Sequence, residues 1–319
     1  MDYPLEMDAT QPTLSMVKDA CEAPLISIAM PVWNCESTIG LAVTSILRQT
    51  YGDWELIVID DGSTDGTLDV LHSFRDPRLK IMIDGQHKGL PDRLNEAIAI
   101  SRGTYYARMD GDDISYPERL ERQLDYMRRH PEVDLIGAPM LVFRGNGRAL
   151  GKRCAPGRGG NVKYTLLRSI ALGHPTFFGK LEWFQRHGYD IWPYNFQDQC
   201  LLLRSFKDSR FVVMPDILLG YREEPLRVAK QFRYRMSYVH SFRRLSRTLG
   251  CWPASVLVAS QAAKLGLDCF AICTGLELAL LRHRFRPLSQ GERTNWARVW
   301  DEVTAAAPEF PIPLSPGGP

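Results

Sequence analysis

The sequence predicts an α/β fold: a Rossmann-type, mostly parallel sheet flanked by helices, with a helical extension at its C-terminal end. Three observations predict it. Short apolar runs alternate with segments whose apolar residues recur at helical spacing. Two acidic clusters, Asp60-Asp61-Gly62-Ser63-Thr64-Asp65 and Asp110-Gly111-Asp112-Asp113, each follow such a run. After Tyr221-Arg222 the composition turns basic, then apolar at helical spacing.

In chain order, residues 1–23 are polar and aperiodic and read as a flexible leader. They lack the basic-then-apolar pattern of a secretory signal. Leu25–Val32 reads as a buried first strand, and Ile39, Val43, Ile46 and Leu47 as the apolar stripe of a helix. Residues 55–59 form a second strand that ends at the first acidic cluster. Ser63 is placed to cap a helix carrying Leu68, Leu71 and Phe74. Residues 79–83 form a third strand, and Leu90, Leu94, Ala97 and Ile98 mark a helix closed by Gly103. A fourth strand, 104–109, delivers the second cluster. Right-handed crossovers make these strands parallel. Ser115-Tyr116-Pro117-Glu118 has the pattern of a capping box, opening a helix with Leu120, Leu124 and Met127 that His130-Pro131 ends. Residues 144–161, rich in Gly and Arg, read as a loop. Residues 174–179 read as extended, and Asn195-Phe196-Gln197-Asp198 opens a helix with Leu201, Leu202 and Phe206.

The length of 319 residues suits one large domain with an appendage. We divide it into the leader, a main domain at 24–225, a basic and amphipathic helical extension at 226–300 and a Pro- and Gly-rich tail at 301–319. A net charge of +2 argues against a polyanion binder, so no nucleic-acid partner is expected. The seven cysteines show no CxxC pair and no zinc spacing, and read as reduced thiols of a cytoplasmic protein. The apolar stretch 254–281 is interrupted by Gln261, Lys264, Asp268 and Glu277, which argues against a spanning helix.

Carboxylates just past strand ends in an open α/β sheet face the crevice where ligands bind. Several of them in one crevice repel unless a cation lies between them. A divalent metal carrying a phosphorylated substrate meets that need, because hard cations prefer carboxylate and phosphate oxygens. On an extended segment Asp110 and Asp112 project the same way. A calcium loop would use the same residues with Glu121, but Ile114 and Ser115 stand where it needs an oxygen ligand and glycine. Turn chemistry accounts for Gly62, Ser63 and Asp65, but not for Asp60 and Asp61 side by side.

Four motifs together, Pro31-Val32-Trp33-Asn34, Asp60 to Asp65, Gly89-Leu-Pro-Asp-Arg93-Leu-Asn95, and Arg108 to Ser115 with Pro117 to Leu120, resemble the family 2 glycosyltransferases of bacterial cell-surface polysaccharide synthesis. The resemblance covers roughly residues 25–222. It implies a GT-A-like fold and an inverting enzyme that moves a sugar from a nucleotide-diphosphate donor of UDP, GDP or dTDP type to an acceptor hydroxyl on a glycan or lipid-linked glycan. It implies that Pro31, Val32 and Asn34 line the nucleotide pocket, that Asp60 contacts the base, and that Asp61, Arg93 and Gly111 join the donor site. Asp110 and Asp112 would bind ribose and diphosphate, with Asp112 on a divalent metal, Mn2+ or Mg2+. Asp198 is the implied general base, although Gln197 stands where relatives usually carry Glu. His174 would lie near acceptor and diphosphate, and Arg222 near the diphosphate. Beside each stands a bland reading: a helix-opening carboxylate for Asp198, a structural histidine, a surface arginine.

Three other readings compete. A nucleotidyltransferase needs an early Gly-rich basic loop, and residues 30–38 hold neither glycine nor a basic residue. A receiver module would be far shorter. A catalytically weakened nucleotide-sugar-binding protein is kept open by Gln197. The extension has two readings as well. From Pro225 to Gly250 it carries seven basic residues and no acid, then an apolar helical stretch. That suits an interfacial helix on an anionic membrane, making the protein peripheral on the inner face of the plasma membrane. It suits equally a packing element or the contact of a homodimer.

Overall fold

The computed structural model describes residues 25–153, 160–161, 172–191, 196–223, 232–233, 235–237, 239–240, 254–276 and 285–308. The leader, Asn195, much of the basic run, residues 277–284 and the end of the tail lie outside the described residues.

Strand β1 (Ile26–Val32) is the centre of the structure, and every residue in it is buried. It runs parallel to β2 (Trp54–Asp60) on one side and to β4 (Tyr105–Arg108) on the other, and β3 (Leu79–Ile83) continues the parallel set beyond β2. β1 and β2 are buried along their whole length because both faces of the sheet are covered there, whereas the edge strand β3 is half-buried to exposed. Ile28, Met30 and Val32 face one side with Leu56 and Val58. There they meet α1 (Ile39–Leu47), α2 (Thr67–Ser73) and α4 (Arg119–Arg129) through Val43, Leu71 and Leu124. Ala29, Ile57 and Ile59 face the other side. They meet α3 (Leu90–Ile100), α5 (Leu181–His187) and α6 (Gln197–Ser205) through Leu94, Phe184 and Leu201. The strand order is β3-β2-β1-β4-β10-β6-β11-β9. Here β6 is Leu135–Gly137, β9 Gly160–Asn161, β10 Phe178–Lys180 and β11 Phe211–Val213, and β10 lies antiparallel to both of its neighbours.

A second, four-stranded sheet has the order β5-β12-β7-β8. It consists of β5 (Ile114–Ser115), β7 (Met140–Arg144), β8 (Arg148–Arg153) and β12 (Leu219–Arg222). Three sequence expectations are corrected, two of them by this sheet. Ser115 does not cap a helix: it pairs with Leu219 in this sheet, its N–H donates to Ser45 Oγ at 3.0 Å, and its hydroxyl accepts from Gln49 Nε2 at 3.0 Å. With Ser115 engaged in the sheet, α4 starts only at Arg119 and has no side-chain cap. Likewise Ser63 Oγ accepts the Asn34 N–H, and Asp65 takes the Thr67 N–H at the start of α2. Residues 144–153, read as loop, form the β7–β8 hairpin.

Two helices of the extension are described, α7 (Ala254–Cys273) and α8 (Gln290–Ala306). Helix α8 runs past the expected boundary at 300. It opens with a capping box that the sequence reading passed over: the Ser289 hydroxyl accepts the Glu292 N–H, and the Glu292 carboxylate accepts the Ser289 N–H. Trp296, Val299 and Val303 pack on Ile114, Leu141 and Phe143 of the second sheet and on Tyr116 just past β5. The fit is tight: a Cβ on Gly220 would lie 2.4 Å from the Trp296 ring. Trp296→Ala is therefore expected to cost about 3–5 kcal/mol of stability, measured by urea unfolding. A loss under 1 kcal/mol would mean that α8 is not part of the core.

Candidate active site

The carboxyl ends of β1, β2 and β4 converge at one edge of the main sheet, where the loops after them are stitched together. Asn34 adopts φ 51°, a left-handed conformation that Asn tolerates better than most residues. Its N–H donates to Ser63 Oγ at 3.0 Å, and its Oδ1 accepts the Thr64 N–H at 2.8 Å. The Asp60 carboxylate accepts the Gly62 and Ser63 N–H groups through Oδ2, while Oδ1 is buried with no partner among the described residues. Asp61 accepts from Lys88 N at 2.7 Å, Gly89 N at 3.0 Å and Arg93 Nε at 2.8 Å. Buried Arg93 also pairs with Asp84 and Glu96. It therefore holds the 84–89 loop from beneath.

Above this frame lies a cavity of about 590 Å³. Pro31, Val32, Trp33 and Asp61 form one wall, His87 to Pro91 another, and Gln197 and Arg233 close it. Of the expected nucleotide-site residues, Pro31, Val32 and Asp61 line it directly. Asn34 and Arg93 support it from outside. Trp33 and His87, which sequence reasoning missed, bring their rings to 4.7 Å centroid separation at its edge. Trp33 was visible inside the Pro31–Asn34 motif, whereas His87 carries no local signal.

The second acidic cluster sits beside that wall. A Cβ on Gly111 would lie 2.8 Å from Val32 Cγ1, so this position admits little but glycine. Oxygens of Asp110, Asp112 and Asp113 all lie within 4.8 Å of one another. Arg108 forms a two-pronged ion pair with Asp110. Burial and the Asp110 carboxylate push Asp112 up to about 6. Burial, then the Asp112 and Asp110 charges, push Asp113 well above the usual carboxylate range. Asp113 Oδ1 accepts the Arg222 N–H at 2.9 Å, but Oδ2 is buried with no partner among the described residues. Three crowded carboxylates, one with an orphaned oxygen, fit a hard divalent cation. Arg222 donates through Nε to the Asp112 carbonyl at 2.8 Å and through Nη1 to the Gly145 carbonyl at 3.1 Å, leaving Nη2 buried and without a partner among the described residues. It is thus a brace for the acidic turn, not a surface arginine.

Arg119 fixes the cluster from below. Wholly buried, it donates to the Arg108 carbonyl at 2.7 Å, the Pro175 carbonyl at 3.1 Å and Gln123 Oε1 at 3.0 Å. Burial pulls its guanidinium down to about 10, so it stays charged at neutral pH. Arg119→Ala strands two carbonyls and leaves a cavity; we expect a stability loss on the order of 3 kcal/mol, read by thermal or urea unfolding. An unchanged transition midpoint would remove this bracing role.

Arg119 also ties the cluster to the turn at His174–Thr176, because Gln123 Nε2 donates to the Thr176 carbonyl. His174 Nε2 lies 3.0 Å from the Tyr189 hydroxyl, and its ring meets Phe177 edge-on. Burial and the Arg108 charge push His174 well below the usual histidine range, so it is neutral. Asp198 opens α6, next to the cavity-lining Gln197. Burial pushes its carboxyl up, against the Gln199 donors that pull it down, and it feels the charge of Arg108. Burial pushes the Tyr189 hydroxyl up, and the charges of Asp198 and Asp110 act in the same direction. Asp60, Asp110, Gly111, Asp112, His174, Asp198 and Arg222 do not line the cavity.

An open sheet with acids at its carboxyl edge and a cavity across that edge is the architecture of GT-A glycosyltransferases. A model of glycosyl transferase family 2 matches residues 27–190, more than half of the chain, and the chain belongs to that family. It is 41% identical over 123 residues to the putative glycosyltransferase EpsE of Bacillus subtilis, covering 38% of this chain and 44% of the relative. It is 34% identical over 150 residues to UDP-Glc:alpha-D-GlcNAc-diphosphoundecaprenol beta-1,3-glucosyltransferase WfgD of Escherichia coli, covering 47% and 57%. The chain thus spans about half the length of these curated relatives. Among solved structures it resembles S. aureus TarS in complex with UDP (TM-score 0.54, 19% identity, 89% of this chain and 81% of that one). It also resembles the mannosyltransferase PcManGT of Pyrobaculum calidifontis in complex with GDP-Man and Mn2+ (TM-score 0.55, 17% identity, 90% and 86%). At these identities the structures show the shared GT-A fold.

Proposed function

We propose that the protein is an inverting glycosyltransferase that moves a sugar from a nucleoside-diphosphate donor to a hydroxyl of a glycan or lipid-linked glycan in surface polysaccharide synthesis. The observation that carries this reading is the crowded Asp110-Asp112-Asp113 cluster at the sheet edge beside the wall of a cavity, with Asp198 next in the chain to the cavity-lining Gln197. Relatives named for UDP, GDP-Man and undecaprenyl-linked substrates support the donor and acceptor classes. The nucleoside lies between Trp33 and the His87–Pro91 wall, with Val32 beneath it. Asp112, with Asp110 and Asp113, would hold Mn2+ or Mg2+, which when bound offsets charge on the departing diphosphate. Asp198 accepts the proton of the acceptor hydroxyl as its oxygen attacks the anomeric carbon. Its raised carboxyl is a stronger base than an exposed aspartate. One base and one displacement invert the anomeric centre. The peripheral location at the inner membrane face belongs to the same reading.

Gln197 favours a second reading, that of a weakened nucleotide-sugar binder. It lines the cavity in place of the usual Glu, and its Oε1 is buried without a partner among the described residues. Incubation with a panel of nucleotide sugars, Mn2+ or Mg2+ and candidate glycan and lipid-linked acceptors, followed by mass spectrometry, separates the two. Product with the sugar mass added supports transfer. Donor binding with neither transfer nor donor hydrolysis across the panel supports the binder.

A further inference from the structure

Helix α7 is inverted over part of its surface, although Ala271 is buried and Ile272 packs against Phe285 and Val142. Its polar residues Gln261 and Asp268 are 6% and 1% exposed, while Leu267 and Phe270 are 58% and 61% exposed. A helix on a water-facing protein surface shows the opposite pattern. Residues 232, 233, 235–237, 239 and 240 are helical and repeat the inversion on one face: Phe232 and Met236, four residues apart, are 50% and 51% exposed, whereas Arg235 is buried at 8%, beside the equally buried Val239. The two segments are joined by their buried polar sides. Arg235 Nε lies 3.1 Å from Asp268 Oδ2, and Nη1 donates to Gln261 Oε1 at 3.0 Å. A buried ion pair of this kind sets which faces meet more than it adds stability. Here it fixes the apolar faces outward.

We propose that this helix pair docks the protein onto an anionic phospholipid membrane, its apolar faces entering the acyl boundary. Charge decides between lipid and a second copy of the chain. From Pro225 to Gly250 the sequence carries seven basic residues and no acid. Among the described residues of the pair the one acid, Asp268, is buried against Arg235. The exposed charges described on the pair, Arg233 and Lys264, are both basic, so two copies meeting through this surface would bring like charges together, whereas anionic headgroups complement them. No described helix is long and apolar enough to cross a membrane, so the mode is interfacial. The position is also productive: Arg233, between Phe232 and the buried Arg235, lines the donor cavity, so the docked surface adjoins the site.

The test is flotation of the full chain with vesicles of phosphatidylcholine alone or mixed with phosphatidylglycerol, at two salt concentrations. The chain is expected to float with the mixed vesicles, less so at the higher salt. Leu267→Ser combined with Phe270→Ser should lower the bound fraction about tenfold or more. Neither residue lines the cavity, so retained nucleoside-diphosphate binding shows that the variant is folded; if it is not, Phe232→Ser with Met236→Ser reads the same surface. Absence of flotation, or flotation undiminished in the folded variants, overturns the proposal. A dimer in solution that these variants dissociate, without flotation, assigns the surface to a second copy and overturns it as well. This docking rests on the peripheral location within the proposed function; flotation does not depend on sugar transfer, so its failure removes that location and leaves the transfer reaction untouched.

Discussion

Asp198→Asn should lower turnover by about 100-fold or more while leaving nucleotide-donor affinity within a few-fold of the parent. The substitution keeps shape and hydrogen-bonding capacity and removes only the basic oxygen. Asp198 opens α6, where a carboxylate also favours the helix, so the folding contribution has to be separated from the chemical one. That contribution is worth about 1 kcal/mol or less, too little to unfold the domain. The pH profile gives a second readout. Burial raises the Asp198 carboxyl, so the base becomes protonated, and turnover falls, at a pH above the ordinary carboxylate range near 3.9. The acidic limb of kcat should therefore sit higher than for an exposed aspartate and should vanish in the residual activity of Asp198→Asn. Unchanged kcat, or a variant that loses donor binding and turnover together, would assign the residue a structural role.

How far the sequence revealed this arrangement depended on where the information is stored. Strands β1, β2 and β4 and the helices between them were legible because the strands are largely covered on both faces and each helix on one, so burial writes a pattern into the chain. The same holds for the acidic clusters, whose place after a strand is set by local order. What failed was information held by distant partners. Ser115 has the letters of a helix cap, yet its N–H and hydroxyl are engaged by Ser45 and Gln49, and its backbone pairs with Leu219. The genuine capping box at Ser289 and Glu292 follows residues with no helical period. The β7–β8 hairpin was hidden because β8, Arg-Ala-Leu-Gly-Lys-Arg, is mostly half-buried and basic at both ends, and so shows no apolar run. In the site, Pro31, Val32 and Asp61 could be named from motifs, whereas His87 and Arg233 reach the cavity only through tertiary folding. The bracing roles of Arg119 and Arg222 are likewise invisible in sequence, since their partners are backbone carbonyls.

Removal of divalent metal by chelator, or Asp112→Asn, should each lower transfer by roughly 100- to 1,000-fold, the range seen when one stabiliser of transition-state charge is lost. Activity alone does not separate a metal ligand from a structural acid, but stability against pH does. Asp112 is pushed up to about 6 by burial and by the Asp110 charge, whereas in the unfolded chain it titrates near 3.9. A carboxyl raised in the folded state favours folding while protonated. Its contribution is therefore full below about 4 and is lost as the pH rises to about 6. The metal-free protein should lose stability across that interval, the neighbouring buried Asp113 acting in the same direction. Millimolar Mn2+ or Mg2+ should restore the loss at neutral pH, because a cation between the carboxylates relieves the repulsion that raises them. Asp112→Asn should flatten the metal-free profile, raise the melting temperature at pH 7 and abolish the metal-induced shift. Melting curves of both proteins at pH 4, 5, 6 and 7, with and without metal, decide the matter. A parent protein whose melting temperature ignores added metal, or a variant that still responds to it as the parent does, would mean that the cluster is not the metal site.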